Sequence, residues 1–359
     1  MIPSVLSQQL RQGVEDFLRT TFPVSTTFFH GIIDRLLAED EGIFKGPYVS
    51  IQLPFRQGSG RPDYFPEIPL KFPPYLHQEQ AFGRLSGDKA RSTIIATGTG
   101  SGKTESFLYP ILDYCYRHRG ETGIKAILIY PMNALATDQA GRIAEIVYKN
   151  PNLRNQVTAG LYVGQKEKNA PNAMTASKII SDKDTLRQTP PDILITNYKM
   201  LDYLLIRPAD FPLWAGNGPE TLRFLVVDEL HTFDGAQGSD LACLIRRLKA
   251  RLGTPKGYLS CIGTSATLGG EDEKEQLLAY TAEVFGEPFD PDSIIMESRL
   301  SAGEFLEKSA GNAATMYPSP FRKPDSWKTH RACDFIVPAL TGRRMPKRII
   351  TASSMRPGM

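Results

Sequence analysis

Between residues 92 and 264 the chain carries six short apolar runs: STIIAT (92–97), KAILIY (125–130), VTAGLYV (157–163), DILIT (192–196), RFLVVD (223–228) and YLSCIGT (258–264). They are rich in Ile, Val and Leu, as parallel strands become when βαβ crossovers cover both faces of their sheet with helices. Helical stretches separate most of them, at 103–118, 133–149, 238–252 and 272–285. Alternation of this kind predicts an α/β fold with a mostly parallel, doubly wound sheet. Ligands of such sheets gather at the carboxyl ends of the strands, so chemistry is expected just after residues 97, 130, 196, 228 and 264. The stretch 164–190 interrupts the alternation. It is polar and lysine-bearing, and reads as a surface excursion with one short helix.

The flanks read differently. Residues 1–70 form a small accessory region: VLSQQLRQGVEDFLRT sets Leu6, Leu10, Val14 and Phe17 on one helical face, and FFHGIIDRLLAED repeats the pattern. YVSIQLPF reads as a strand and RQGSGRPDYFPEIP as a Pro/Gly-rich connector. The main domain is expected over 71–286. After that the periodicity fades into an irregular basic segment, 287–359, where residues 318–359 hold nine Lys and Arg against two Asp and Glu. The net charge of +3 therefore hides a mildly acidic body, which is not the footprint of a strong nucleic-acid binder. The four cysteines are scattered with no Cys-x-x-Cys pair, which argues against a zinc site or a disulfide framework and fits a reducing cytoplasm. No apolar run is long enough to span a membrane. The opening MIPSVLSQQLRQ lacks the basic-then-apolar order of a secretory leader.

The first strand runs into a glycine loop and then a helix: TIIATGTGSGKTESF, residues 93–107. Gly98, Gly100 and Gly102 allow backbone N–H groups, with those of Thr99 and Ser101, to turn inward around phosphate oxygens. The following helix adds its positive end. Lys103 can then reach the β- and γ-phosphates, and the Thr104 hydroxyl can ligate Mg²⁺. In the strict pattern G-x-x-x-x-G-K-[ST] the first glycine falls on Thr97, a departure from the motif.

A second apolar strand ends in two carboxylates, FLVVDELH. Asp228 is placed to hold Mg²⁺ through water, and Glu229 to polarise the water that attacks the γ-phosphate. Glycine loop and acidic strand end together point to a P-loop nucleoside triphosphatase using ATP and Mg²⁺.

In this order, ATGTGSGKT, DELH and TSAT (264–267) resemble motifs I, II and III of superfamily 2 DEAD/DEAH-box helicases. FPPYLHQEQAFGRL resembles their upstream Q-type motif, with Gln78 at the adenine-reading glutamine. YPMNALATDQAGRI resembles motif Ia, and PDILITNYKMLDYLLIRP motif Ib. The wording is similar to that of large bacterial helicases of genome maintenance and defence. The resemblance implies a RecA-like ATP-binding domain and a nucleic-acid partner, DNA rather than RNA. Pro131, Asn133 and Gln139 would track the strand's backbone, and Thr196 and Asn197 would contact the next phosphates. Ser265 and Thr267 would link nucleotide and strand sites, with His231 beside them.

Helicases of this class imply a second RecA-like domain carrying motifs IV to VI and an arginine finger. No convincing match follows TSAT, and TGRRMPKR (341–348) lacks the expected glutamine-led arginine pattern. The chain therefore reads as the N-terminal part of a helicase, an incomplete product or one subunit of a split enzyme. Another chain region or polypeptide would supply the other half. The alternative is an ATP-binding subunit of a restriction or defence complex that needs a partner for hydrolysis. Because an arginine finger contributes about 10³- to 10⁵-fold in P-loop enzymes, the chain alone is expected to displace little duplex in an ATP-driven strand-displacement assay. Robust unwinding would contradict that expectation.

Overall fold

The computed structural model describes residues 3–24, 26–38, 52–61, 63–164, 170–266 and 271–307. The chain divides into two units, Met1–Leu53 and Pro54–Met359. In the smaller unit, helices α1 (Pro3–Thr21) and α2 (Ile32–Ala38) are joined by Arg19, whose Nε donates to Asp34 Oδ1 at 2.9 Å. The apolar face expected on α1 forms, but Leu6, Leu10, Val14 and Phe17 are all exposed.

The larger unit begins with α3 (Leu76–Leu85) and continues β1 (Thr93–Ala96), α4 (Lys103–Arg117), β2 (Ala126–Ile129), α5 (Asn133–Lys149) and β3 (Ala159–Tyr162). It proceeds through α6 (Lys183–Gln188), β4 (Ile193–Thr196), α7 (Tyr198–Ile206), β5 (Phe224–Val227), α8 (Gly235–Leu252), β6 (Ser260–Ser265), α9 (Glu271–Phe285) and β7 (Ile294–Met296). The seven strands form one sheet in the order β3-β4-β2-β5-β6-β1-β7. Every pairing is parallel.

Alternate residues of each strand feed opposite layers, as the two-residue period of a strand requires. Ile95, Leu128, Ile195, Val226 and Ile262 face a core shared with Phe82, Ile111 and Ile143 of α3, α4 and α5. Ile127, Ile129, Leu194, Leu225 and Val227 face a second core with Leu201 of α7 and Leu241 and Ile245 of α8. The sheet is thus doubly wound, and all six expected strands are present. The stretch 164–190 carries α6 as its one described helix.

Two features lie outside the sequence pattern. β7 extends the sheet past residue 286, pairing Ile94 with Ile294, where three residues are too few to show a period. Phe65 and Ile68, from the segment grouped with the accessory region, are buried in the first core, Phe65 edge-on to Phe82 at 5.1 Å. Of the strand expected over YVSIQLPF (48–55), residues 48–51 lie outside the described residues, and 52–54 form no strand, a correction to that expectation. Its last residue, Phe55, makes a single antiparallel bridge with Arg299. Among the described residues no helix is long and apolar enough to cross a membrane.

At the β3 edge, Asp210 is fully buried and holds three elements together. It accepts from Tyr162 Oη at 2.6 Å, Arg187 Nε at 2.8 Å and Arg207 Nε at 2.5 Å. Burial alone would raise its carboxyl pKa, but the bonds from Arg207, Tyr162 and Arg187 outweigh it and leave the pKa below the ordinary value. A depressed carboxyl stabilises the fold above its unfolded pKa, and that stability is lost as pH falls through the folded value. Asp210→Asn is expected to cost about 1–3 kcal/mol in denaturant unfolding near neutral pH, since the carboxylate is buried while Arg187 and Arg207 keep part of their side chains in water. The gap to the unaltered chain should narrow below about pH 4. A gap independent of pH would contradict this assignment.

Candidate functional site

Strand β6 lies between β5 and β1, and this places the loop and the acids side by side. Ala96 pairs with Ser265 and Val227 with Gly263, so the ends of all three strands reach the same sheet edge at nearly the same level. The glycine loop leaves β1, the acidic pair leaves β5, and the TSAT stretch leaves β6.

The loop turns through two left-handed glycines, Gly100 and Gly102, both at φ 77°. Thr97, at the strict motif's first glycine, needs no such turn. It is fully buried, and its hydroxyl meets Ser101 Oγ at 2.8 Å, closing the loop from within. Gly102 caps α4, whose first-turn N–H groups face outward without intrahelical acceptors. Three side chains brace the loop from outside. His77 Nε2 donates to Ser101 O at 2.8 Å, Gln78 Nε2 donates to Gly102 O at 3.1 Å, and Gly98 N donates to Glu297 Oε2 at 2.7 Å. Burial pushes the His77 imidazole below its ordinary pKa, which keeps it neutral.

Opposite the loop, Lys103 Nζ donates to Ser265 O at 3.0 Å and lies 3.6 Å from Glu229 Oε1. Glu229 adopts the left-handed region (φ 50°, ψ 49°), a conformation that costs a non-glycine residue about 1–3 kcal/mol. Its other oxygen pairs with His231 Nδ1 at 3.4 Å. Asp228 is drawn further in: burial raises its carboxyl pKa and so does the neighbouring Glu229, while the bond from Thr264 and the charge of Lys103 pull it down, with the net shift upward.

These groups line a cleft of about 1110 Å³ that includes Gln78, Gly98 to Gly100, Gly102 to Thr104, Asp228 and Glu229. It is large enough for a nucleoside triphosphate. A Cβ at Gly100 would meet nothing within 4 Å, so the loop is uncrowded at that turn. Among the described residues no group of three or more His, Cys, Asp or Glu could cage a metal. Thr104 and Asp228 both line the cleft and could hold Mg²⁺, which takes one or two protein ligands and completes its shell with phosphate oxygens and water.

The expected strand-tracking residues separate into groups. Asn133 and Asn197 come together, Asn197 Nδ2 donating to Asn133 Oδ1 at 2.7 Å while Asn197 Oδ1 caps α7 through Met200 N. Pro131 is half-buried at the same edge. Thr196 is a correction: it is fully buried and its hydroxyl donates to Tyr162 O at 2.7 Å, so its side chain ties β4 to β3 and reaches no surface. Gln139 lies on the wall of the same cleft, its buried Oε1 without a hydrogen-bond partner. Gln78, expected to read adenine, has both ends of its amide engaged, Oε1 accepting from Tyr75 N at 2.9 Å. Thr267 and TGRRMPKR lie outside the described residues. Sequence reasoning missed His77, Thr264 and Glu297. His77 and Thr264 stand next to residues already singled out, whereas Glu297 acts on Gly98 across 199 positions with no local signal.

A family model described as DEAD/DEAH box helicase matches residues 75–275, more than half of the chain. The chain belongs to the DEAD/DEAH box helicase family. Among curated proteins, the Druantia protein DruE of Escherichia coli (strain UMEA 4076-1) is 30% identical, across 67% of this chain and 19% of that protein. The uncharacterized ATP-dependent helicase MJ1574 of Methanocaldococcus jannaschii is also 30% identical, across 62% of this chain and 30% of its own length. A solved structure of the DUF1998 helicase MrfA bound to DNA is 25% identical over 62% of this chain and 27% of that one, with a TM-score of 0.45. The chain spans under a third of the length of each of these relatives.

Within this family framework Gly102 makes the sharpest demand. A Cβ there would sit 2.3 Å from Gln78 Nε2, at a left-handed φ. Gly102→Ala is expected to weaken binding of a fluorescent ATP analogue by about five- to thirtyfold, from roughly 1–2 kcal/mol of loop strain. Unchanged affinity would remove Gly102 from the nucleotide site.

Proposed function

We propose that the cleft binds and hydrolyses ATP with Mg²⁺, and that this domain is the ATP-driven part of a helicase that grips one nucleic-acid strand. The observation that carries the reading is the convergence of Lys103, Asp228 and Glu229 on one cleft beside the glycine loop. Bound ATP·Mg²⁺ supplies the transferable γ-phosphate and the positive charge that screens it. The chain's own residues do the rest. Gly98 to Thr104 bind the phosphates, with Lys103 released from Ser265 O to meet them. Asp228 would hold the metal ion, and Glu229 would take the proton of the attacking water, with His231 beside its second oxygen. Ser265 lies behind Lys103 and Thr267 follows it in the chain, so a change at the nucleotide is felt at the end of β6.

The strand is proposed to run along the same carboxyl edge over Pro131, Asn133 and Asn197. Side-chain amides and backbone N–H groups hold phosphates without a basic patch, which suits an acidic body. DNA is the first expectation. A second RecA-like half, from another chain region or polypeptide, would close the cleft opposite Lys103. Steady-state ATPase measurements with and without single-stranded DNA and RNA test the proposal. Glu229→Gln is expected to keep ATP binding and lower turnover by about 10²-fold or more, as loss of a general base does. Turnover unaffected by that change would place the chemistry elsewhere.

A further inference from the structure

Thr264 stands one residue before Ser265, at the end of β6, and is fully buried. Its single hydroxyl serves both acids of the strand end. It donates to Asp228 Oδ1 at 2.5 Å and accepts from the Glu229 backbone N–H at 2.9 Å. The register explains the reach. Val227 pairs with Gly263, so the next residues along, Asp228 and Thr264, are neighbours at the sheet edge. Gly263 allows the approach: a Cβ there would lie 2.9 Å from Leu230 Cδ2, so the glycine lets the turn after β5 fold down against β6.

We infer that Thr264 is the positioning residue of this cleft, its hydroxyl setting the orientation of the Asp228 carboxylate and the turn that aims Glu229. The inference rests on the proposed ATP-hydrolysing role of the cleft. With Oδ1 taken by Thr264, the carboxylate of Asp228 is held in rotation and its other oxygen would be left for a bound metal ion. With its N–H held, Glu229 stays in the left-handed conformation that points its side chain at Lys103 and His231. A hydroxyl is required for both, because one atom must donate to a carboxylate and accept from an amide. Valine has the shape of threonine and neither capacity. Thr264 touches neither substrate nor reacting atoms, so its effect passes entirely through the two acids.

The test compares Thr264→Val and Thr264→Ser in the full 359-residue chain. Thr264→Val is expected to lower kcat by about 10²-fold with KM for ATP within about threefold, as misplacement of reacting groups does. It should also raise the Mg²⁺ concentration needed for half-maximal binding of a fluorescent ATP analogue, a readout that requires no turnover. Thr264→Ser restores the hydroxyl and should recover most of both losses. A purely structural role would instead lower the melting temperature and weaken ATP binding without a kcat-specific loss. The inference is overturned if Thr264→Val turns over ATP and responds to Mg²⁺ like the unaltered chain, or if Thr264→Ser is as impaired as Thr264→Val. Glu229→Gln separates the two levels. If it stalls hydrolysis while Thr264→Val does not, the inference about Thr264 fails alone. If it turns over ATP freely, the reading of the cleft has failed.

Discussion

The insertion of β6 between β1 and β5 is the constraint on which the site depends. Parallel pairing brings three carboxyl ends to one edge, and each end brings a different part: a phosphate-sized glycine loop, a pair of acids, and a hydroxyl with a carbonyl that hold both in place. None of these parts functions by itself. A glycine loop without Asp228 would leave the metal only Thr104, and the acids without Lys103 would be two half-buried like charges side by side. The cost of taking Asp228 out of water is offset only where Thr264 and Lys103 stand within reach, and the sheet order puts them there.

The loop is also held from the far side of the sheet. β7 beyond β1 delivers Glu297 to the Gly98 amide, and Arg299 Nε anchors that carboxylate at 2.8 Å. Phe55 lies against the Arg299 guanidinium, and Arg56 N donates to Ser298 O, so residues near both ends of the larger unit's described chain meet beside the loop. Together with His77 and Gln78 these contacts hold the loop open and shaped. Such preorganisation means that phosphate binding need not order the backbone at that moment.

Local residue patterns carried much of this architecture. The six apolar runs, the glycine loop, the acidic strand end and the helices between them announce themselves within windows of a dozen residues, because burial on two faces and left-handed turns demand particular residue types in place. What escaped depends on partners far away in sequence. Three residues of β7 look like loop until Ile94 is there to pair with them. Phe65 and Ile68 look like part of a connector until Phe82 and Phe107 cover them. Glu297 is one acid among many until Gly98 lies beside it. Thr196 illustrates the reverse case: the motif assigned it outward to a strand, while the sheet turns its hydroxyl inward to Tyr162. Thr264 was hidden by proximity, since attention fell on the residues that follow it.

One cleft is proposed to bind ATP and Mg²⁺ together through the loop and the acid pair. Isothermal calorimetry tests it most directly, titrating ATP into the unaltered chain and into Lys103→Ala, each with Mg²⁺ and with chelator. Binding to the unaltered chain is expected to saturate and to weaken when Mg²⁺ is withdrawn, with no measurable binding to Lys103→Ala. Equal heats for the two proteins, or binding indifferent to Mg²⁺, would contradict it.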